Sequence, residues 1–209
     1  MRALAAFFIL IFAVSFLGQP RLGAGWIWDL GQGIGFAAFA GLLFQMIPAR
    51  RQGTGRAHAR IGDAVVMFMF AHGFWLLLSD DVLRVYLQPG APLHMWLGLA
   101  ALLLLTALSV LAHLPERMRL HRHYAQFRLW HRWLGALATI AAALHIVLSG
   151  FYLPGWPSVL ALVALSLLCC LGRGAWGWLG APFQVPLSAY VVGGACFAAV
   201  FAMIRNFGT

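Results

Sequence analysis

The sequence predicts an all-α membrane protein: a polytopic bundle of about seven transmembrane helices. Three observations carry that reading. Hydrophobic residues make up 63% of the 209 residues and charged residues only 9%, against about 25% charged in a soluble domain. Several apolar runs reach the roughly 20 residues that a helix needs to cross a bilayer. The basic charge is carried by 14 arginines and no lysine, and these arginines gather in alternate loops, as the positive-inside rule requires. The net charge of +9 therefore follows from topology and calls for no nucleic-acid partner. One integral membrane domain, 1–209, accounts for the chain.

The elements follow in order. Arg2 precedes an apolar run at 3–18. It competes with a signal peptide, but no small-x-small cleavage site follows, so it is expected to be a retained first span. A Gly/Pro loop with Trp26 and Trp28 leads to a second span at 30–47, rich in glycine for close helix contact. Arg50, Arg51, Arg56 and Arg60 then mark a cytoplasmic loop, and the third span runs over 61–79. Asp80 and Asp81 begin an outer loop. The fourth span is 93–114, followed by an arginine-rich inner segment. The fifth is 133–152, the sixth 158–171 after the turn PGWP, and the seventh 186–204. On this count eleven arginines lie inside and three outside, namely Arg21, Arg84 and Arg205.

Two stretches share a pattern: HARIGDAVVMFMFAH at 58–72 and HRWLGALATIAAALH at 131–145. In each, thirteen residues separate two histidines, a glycine (Gly62, Gly135) stands four residues after the first, and an arginine (Arg60, Arg132) lies close to it. On a helix, fourteen steps span roughly 21 Å and come within roughly 40° of four full turns, so both imidazoles leave one face. The topology makes the third and fifth spans run in the same direction. That pairs His58 with His131 near the inner end and His72 with His145 in the outer half. Each pair is suited to clamp a planar cofactor edge-on, as haem iron with two axial histidines is clamped. Ionisable groups inside a span are costly and are usually retained for function.

The other titratable groups read differently. His94, His113, His121 and His123 are expected at the interfaces, with His94 and His113 as substitute ligands. Asp63 is expected to snorkel to the inner interface. Arg60 and Arg132 satisfy the positive-inside rule and also suit a haem propionate through bidentate bonding. Cys169, Cys170 and Cys196 fall in apolar runs and read as packing residues. The absence of CxxCH excludes covalent c-type haem.

The two His-x13-His segments, on spans three and five with a basic loop before each, resemble the ferric reductase-like transmembrane domain over residues 30–172. That family includes ferric reductases, NADPH oxidases and the haem-binding membrane subunit of the periplasmic methionine sulfoxide reductase system. The resemblance implies two b-type haems, iron ligation by His58 with His131 and by His72 with His145, and electron transfer across the membrane. The sequence departs from many members in having a seventh span and in showing no flavin- or nicotinamide-binding segment after the sixth. A flavoprotein or a membrane quinol is therefore the expected inside donor, so flavin or quinone enters only through a partner. Ferric iron, oxygen or a partner reductase is the expected outer acceptor. The chain reads as the electron-transfer component of an oxidoreductase in a bacterial inner membrane.

Three other readings stand beside this one. A cytochrome b-like subunit of a quinol-linked complex also uses two histidines on each of two helices. A non-haem metal-binding membrane protein would need further Cys, Asp, Glu or Met ligands near the histidines, and spans three and five offer little beyond Met67 and Met69. A purely structural membrane subunit is the plainest.

Overall fold

The computed structural model describes residues 2–16, 24–47, 54–81, 88–114, 123–153, 155–172 and 185–207. Seven α-helices account for most of them: α1 (Arg2–Phe16), α2 (Trp26–Gln45), α3 (Thr54–Ser79), α4 (Leu93–His113), α5 (Tyr124–Ser149), α6 (Trp156–Leu171) and α7 (Leu187–Phe207). The described residues contain no strand. Five helices, α2, α3, α4, α5 and α7, are long and apolar enough to cross a membrane. At 15 and 16 residues, α1 and α6 reach roughly 22–24 Å, short of the roughly 30 Å hydrocarbon core.

The outward faces explain why this bundle belongs in lipid. Met67, Leu78, Leu103, Leu168, Leu171 and Val192 are all exposed, where a water-soluble protein would carry charge. The bilayer reverses that demand, because it solvates leucine and cannot solvate an unpaired backbone group.

Packing contacts give the directions of the helices. Gly31 of α2 meets Trp75 and Leu76 of α3, while Gln45 at the other end of α2 reaches His58. These two helices are antiparallel. So are α4 and α5, with His94 beside His145. Helices α3 and α5 are parallel, because His58 faces His131 and His72 faces His145. Helices α1 and α7 are parallel too: Phe8 packs on Tyr190, Phe12 on Phe197 and Phe16 on Phe201. All of these relations agree with a chain that reverses direction at each turn.

Helix α2 is the central element. Two thirds of its apolar window is buried, against a third or less for the other four long helices. Its small residues allow this. A Cβ on Gly33 would stand 2.8 Å from the Ala198 Cα of α7, so the two backbones touch there. Such small-residue contacts drive helix association in membranes, where burial of apolar surface supplies little.

Several boundaries differ from the sequence reading. Helix α3 begins at Thr54 and α5 at Tyr124, seven and nine residues before the apolar runs do. Alanine, arginine and glutamine propagate a helix well, so these helices continue past the apolar boundary. At 26 residues each they extend roughly 39 Å. Trp26 and Trp28, expected in a loop, form the first turn of α2. Gly150 ends α5 in the left-handed region at φ 66°, a conformation that glycine adopts without penalty. The inner loop residues Arg50, Arg51, Arg117, Arg119, Arg122 and His121, together with Arg21, Arg84 and Arg173, lie outside the described residues.

Replacement of Gly33 by alanine tests the α2–α7 contact. The added methyl group overpacks against backbone, and such overpacking costs about 1–3 kcal/mol. The detergent-solubilised Gly33→Ala protein should melt at a lower temperature than the parent. An unchanged melting temperature would show that the two backbones are not in contact.

Candidate functional site

The four paired histidines lie inside α3 and α5, so each 14-residue interval is a continuous helix. The structure brings them together as two pairs. The ring centroids of His58 and His131 are 6.1 Å apart with planes inclined at 58°. Those of His72 and His145 are 6.4 Å apart and inclined at 76°. Equal spacing on parallel helices keeps both pairs level.

The outer pair is held from both sides by backbone. His72 Nδ1 lies 2.8 Å from the Gly31 carbonyl oxygen of α2. His145 Nδ1 lies 2.6 Å from the His94 carbonyl oxygen of α4. A carbonyl only accepts, so each Nδ1 carries the proton and donates it. The Nε2 atom of each neutral ring is then left with its lone pair, the form in which imidazole ligates a metal. A histidine ligand typically donates its other nitrogen to a carbonyl or carboxylate in this way. Both rings line a small, partly open cavity of about 60 Å³, walled by α2, α3 and α5 and including Phe36, Phe39, Met69, Ala142 and Tyr152.

The inner pair opens differently. His131 lines an open groove of about 140 Å³ with Leu108, Leu111, Phe127, Trp130 and Leu134, between α4 and α5. Phe127 packs on His131 at 5.6 Å between centroids. Gln45 Nε2 donates to the His58 carbonyl oxygen at 2.7 Å and ties the first turns of α3 to the end of α2. Arg60 and Arg132 are exposed on the same ends of α3 and α5 as the inner pair.

Two polar groups depart from expectation. Asp63 does not simply turn to the interface. It accepts from Ser109 Oγ at 2.6 Å and lies 3.3 Å from His113 Nε2, both on α4. The Nδ1 of His113 meets the Ser109 carbonyl oxygen at 2.8 Å, so both of its nitrogens are engaged away from the pairs. Arg205, counted as an outer loop charge, is buried. It donates to the Ser15 carbonyl oxygen at 2.9 Å and lies over the rings of Phe16, Tyr152 and Phe201. His94 is half-buried, with its ring 6.1 Å from that of His145. His123 is exposed at the N-cap of α5. Cys169 is buried, Cys170 partly so and Cys196 exposed, and all three are free thiols.

Sequence reasoning missed the support around the outer cavity. Asp29 is fully buried. It accepts from Tyr152 Oη at 2.8 Å and from Asn206 Nδ2 at 2.8 Å. Tyr152 thus joins the cavity wall to a buried carboxylate and to α7. The available signal was a lone aspartate beside an apolar run, where an unpaired charge is too costly to retain without donors.

Among the described residues, no group of three or more His, Cys, Asp and Glu side chains is disposed to hold a metal ion. Each histidine pair offers two imidazoles, fewer than the three or four protein ligands of a free-ion site. The chain matches no protein-family model, no curated protein and no solved structure.

The Asp29–Tyr152 bond yields a prediction. Tyr152→Phe keeps the ring over which Arg205 lies but removes a donor from a buried carboxylate. Leaving such a group short of a partner costs about 1–3 kcal/mol, so the melting temperature in detergent should fall. Equal stability would mean that the carboxylate does not depend on this hydroxyl.

Proposed function

We propose that this chain is a b-type haem-binding membrane protein that passes electrons from a donor on the inner side to an acceptor on the outer face. The level pairing of four histidines, set at equal intervals on two parallel helices, carries the reading. Two imidazoles on opposite faces of one metal, each with a metal–nitrogen distance of about 2.0–2.1 Å and a ring radius of about 1.1 Å, have centroids roughly 6.3 Å apart. The observed separations are 6.1 and 6.4 Å. Ring contacts of 6.0–6.4 Å recur through the bundle, His94–His145 at 6.1 Å among them, so these separations are compatible with the reading and do not carry it by themselves.

The residues fit such a group in three further respects. The Nδ1–H bonds of His72 and His145 leave Nε2 available as a ligand. The cavity is lined mostly by apolar and aromatic side chains, with Gln32 and Ser149 as polar members, and such low-polarity surroundings tune an electron-carrying centre. Exposed Arg60 and Arg132 stand at the inner end, where a guanidinium can pair with a propionate. Haem, if held by these histidines, would supply reversible one-electron transfer. The chain's own residues contribute ligation, ring orientation and low-polarity surroundings. His58 and His131 hold the inner centre, and His72 and His145 hold the outer one.

Partners complete the reading. Inside, the donor is a flavoprotein or a membrane quinol; outside, the acceptor is ferric iron, oxygen or a partner reductase. In this respect the chain is the membrane component of an oxidoreductase resembling the ferric reductase-like domain, in a bacterial inner membrane. The basic residues Arg56, Arg60, Arg128 and Arg132, all exposed, favour an acidic flavoprotein, because charge complementarity raises the encounter rate.

Three measurements bear on this. Pyridine haemochrome analysis of the purified protein should give close to two haems per chain, and a protein without bound haem would end the proposal. His72→Ala or His145→Ala should remove one low-spin centre and leave the inner one reducible, whereas His58→Ala or His131→Ala should block reduction from the inner side. If all four variants kept two low-spin centres, the ligands would lie elsewhere. In proteoliposomes, haem reduction by an acidic flavoprotein should slow as salt rises toward physiological strength, where the screening length falls to about 8 Å. A rate indifferent to salt would remove the docking role of the arginines and leave the quinol as the favoured donor.

A further inference from the structure

We propose that Gly35 of α2 and Gly98 of α4 are positioning residues for the outer pair: each glycine admits one imidazole to a helix carbonyl and thereby fixes the ring's tautomer and angle. The inference rests on the ligand reading for its consequence on an electron-carrying centre, but the geometry stands on the chain's own atoms.

Gly31 and His94 lie within helices, so their carbonyl oxygens already face the amides four residues later. Those amides belong to Gly35 and Gly98. A carbonyl has a second lone pair. A ring that uses it must approach from the side of the helix, and it then lies over the residue at i+4. A Cβ on Gly35 would stand 2.7 Å from His72 Nδ1, and a Cβ on Gly98 would stand 2.8 Å from His145 Nδ1. No real Cβ tolerates that distance to a ring held at both ends.

The same relation recurs at three further contacts between described helices. Trp75 Nε1 donates to the Ile27 carbonyl oxygen, and its ring lies over Gly31. Gln45 Nε2 donates to the His58 carbonyl oxygen and lies over Gly62. Tyr190 Oη donates to the Ala37 carbonyl oxygen and lies over Gly41. Five donors and five glycines at i+4 form a rule of construction and not a run of small residues. At the outer pair the rule has a chemical result. A donated Nδ1–H makes the ring a stronger base at Nε2 and sets its rotation about the ligating bond.

The test compares Gly35→Ala, Gly98→Ala and Gly73→Ala in the full-length protein. Alanine propagates a helix better than glycine, so loss at the first two cannot come from helix propensity. Gly73 neighbours His72, yet a Cβ there meets nothing within 4 Å, which makes it the control. In haem-loaded protein, Gly35→Ala and Gly98→Ala should each shift or abolish the outer centre's low-spin electron paramagnetic resonance signal and raise its midpoint potential. The inner signal and the Gly73→Ala spectra should match the parent. An outer signal and potential unchanged in the first two variants would overturn the proposal. Nitrogen-15 resonances of histidine in haem-free protein give an independent reading. Parent His72 and His145 should be neutral Nδ1–H tautomers, Gly35→Ala should disturb His72 alone, and Gly98→Ala should disturb His145 alone. Resonances unmoved by either substitution would also overturn it. A parent protein that binds no haem but shows these tautomer shifts would retain the positioning role and end the haem reading. If Gly35→Ala does not accumulate, Gly98→Ala carries the same test on α4.

Discussion

The structure depends on the second lone pair of the helix carbonyl. Within a bilayer an imidazole or indole N–H must be satisfied by protein, since an unpaired one costs several kcal/mol. The apolar neighbours α2 and α4 offer few side-chain acceptors. Their backbones offer one at every residue, but only where the adjoining surface is stripped to hydrogen. The polar contacts of Trp75, His72, Gln45, Tyr190 and His145 all meet that condition. Glycine weakens a helix in isolation. Here that cost is offset by donors that have no other partner to choose, and the glycines decide how close α2 lies to α3 and α7.

Two hairpins express the same plan. In α2–α3 the acceptor is Gly31, the space Gly35 and the donor His72. In α4–α5 the acceptor is His94, the space Gly98 and the donor His145. Donor and acceptor are 41 residues apart in the first and 51 in the second. Most of the difference falls within the helices, which are longer between carbonyl and histidine in the second hairpin, while the relation of each histidine to its carbonyl is kept. Two antiparallel pairs placed side by side, with α3 parallel to α5, then set four imidazoles at two levels.

Much of this was legible. The equal His-x13-His intervals and the arginine asymmetry were enough to infer parallel helices and level pairs, because helical period and topology are both strong constraints. Glycine content in the second span pointed to close contact, without saying with what. The acceptors were not legible. A backbone carbonyl has no signature in sequence, and Gly35 and Gly98 matter only through rings that lie 37 and 47 residues further along. The link of Asp63 to Ser109 and His113 was hidden for a related reason: a carboxylate near a helix end is satisfied equally well by water, and only the position of α4 decides. The burial of Arg205 was missed because charge counting treats every arginine near a span end as solvated. Its stem and guanidinium instead lie among aromatic rings, which accept a cation on their faces.

Asp29 adds a constraint in time. Its two donors, Tyr152 and Asn206, lie 123 and 177 residues beyond it. Synthesis from the N-terminus therefore commits a carboxylate to the central helix long before either donor exists. Until Tyr152 arrives, α2 must keep that group hydrated or protonated, and Asn206 completes its partners only with α7. The cavity wall itself, of which Tyr152 is a part, is built from residues that precede α7; the last described helix adds the second donor to the carboxylate behind it. Full satisfaction of the buried carboxylate thus waits for α7, and a chain stalled before that helix would hold Asp29 with Tyr152 and without Asn206.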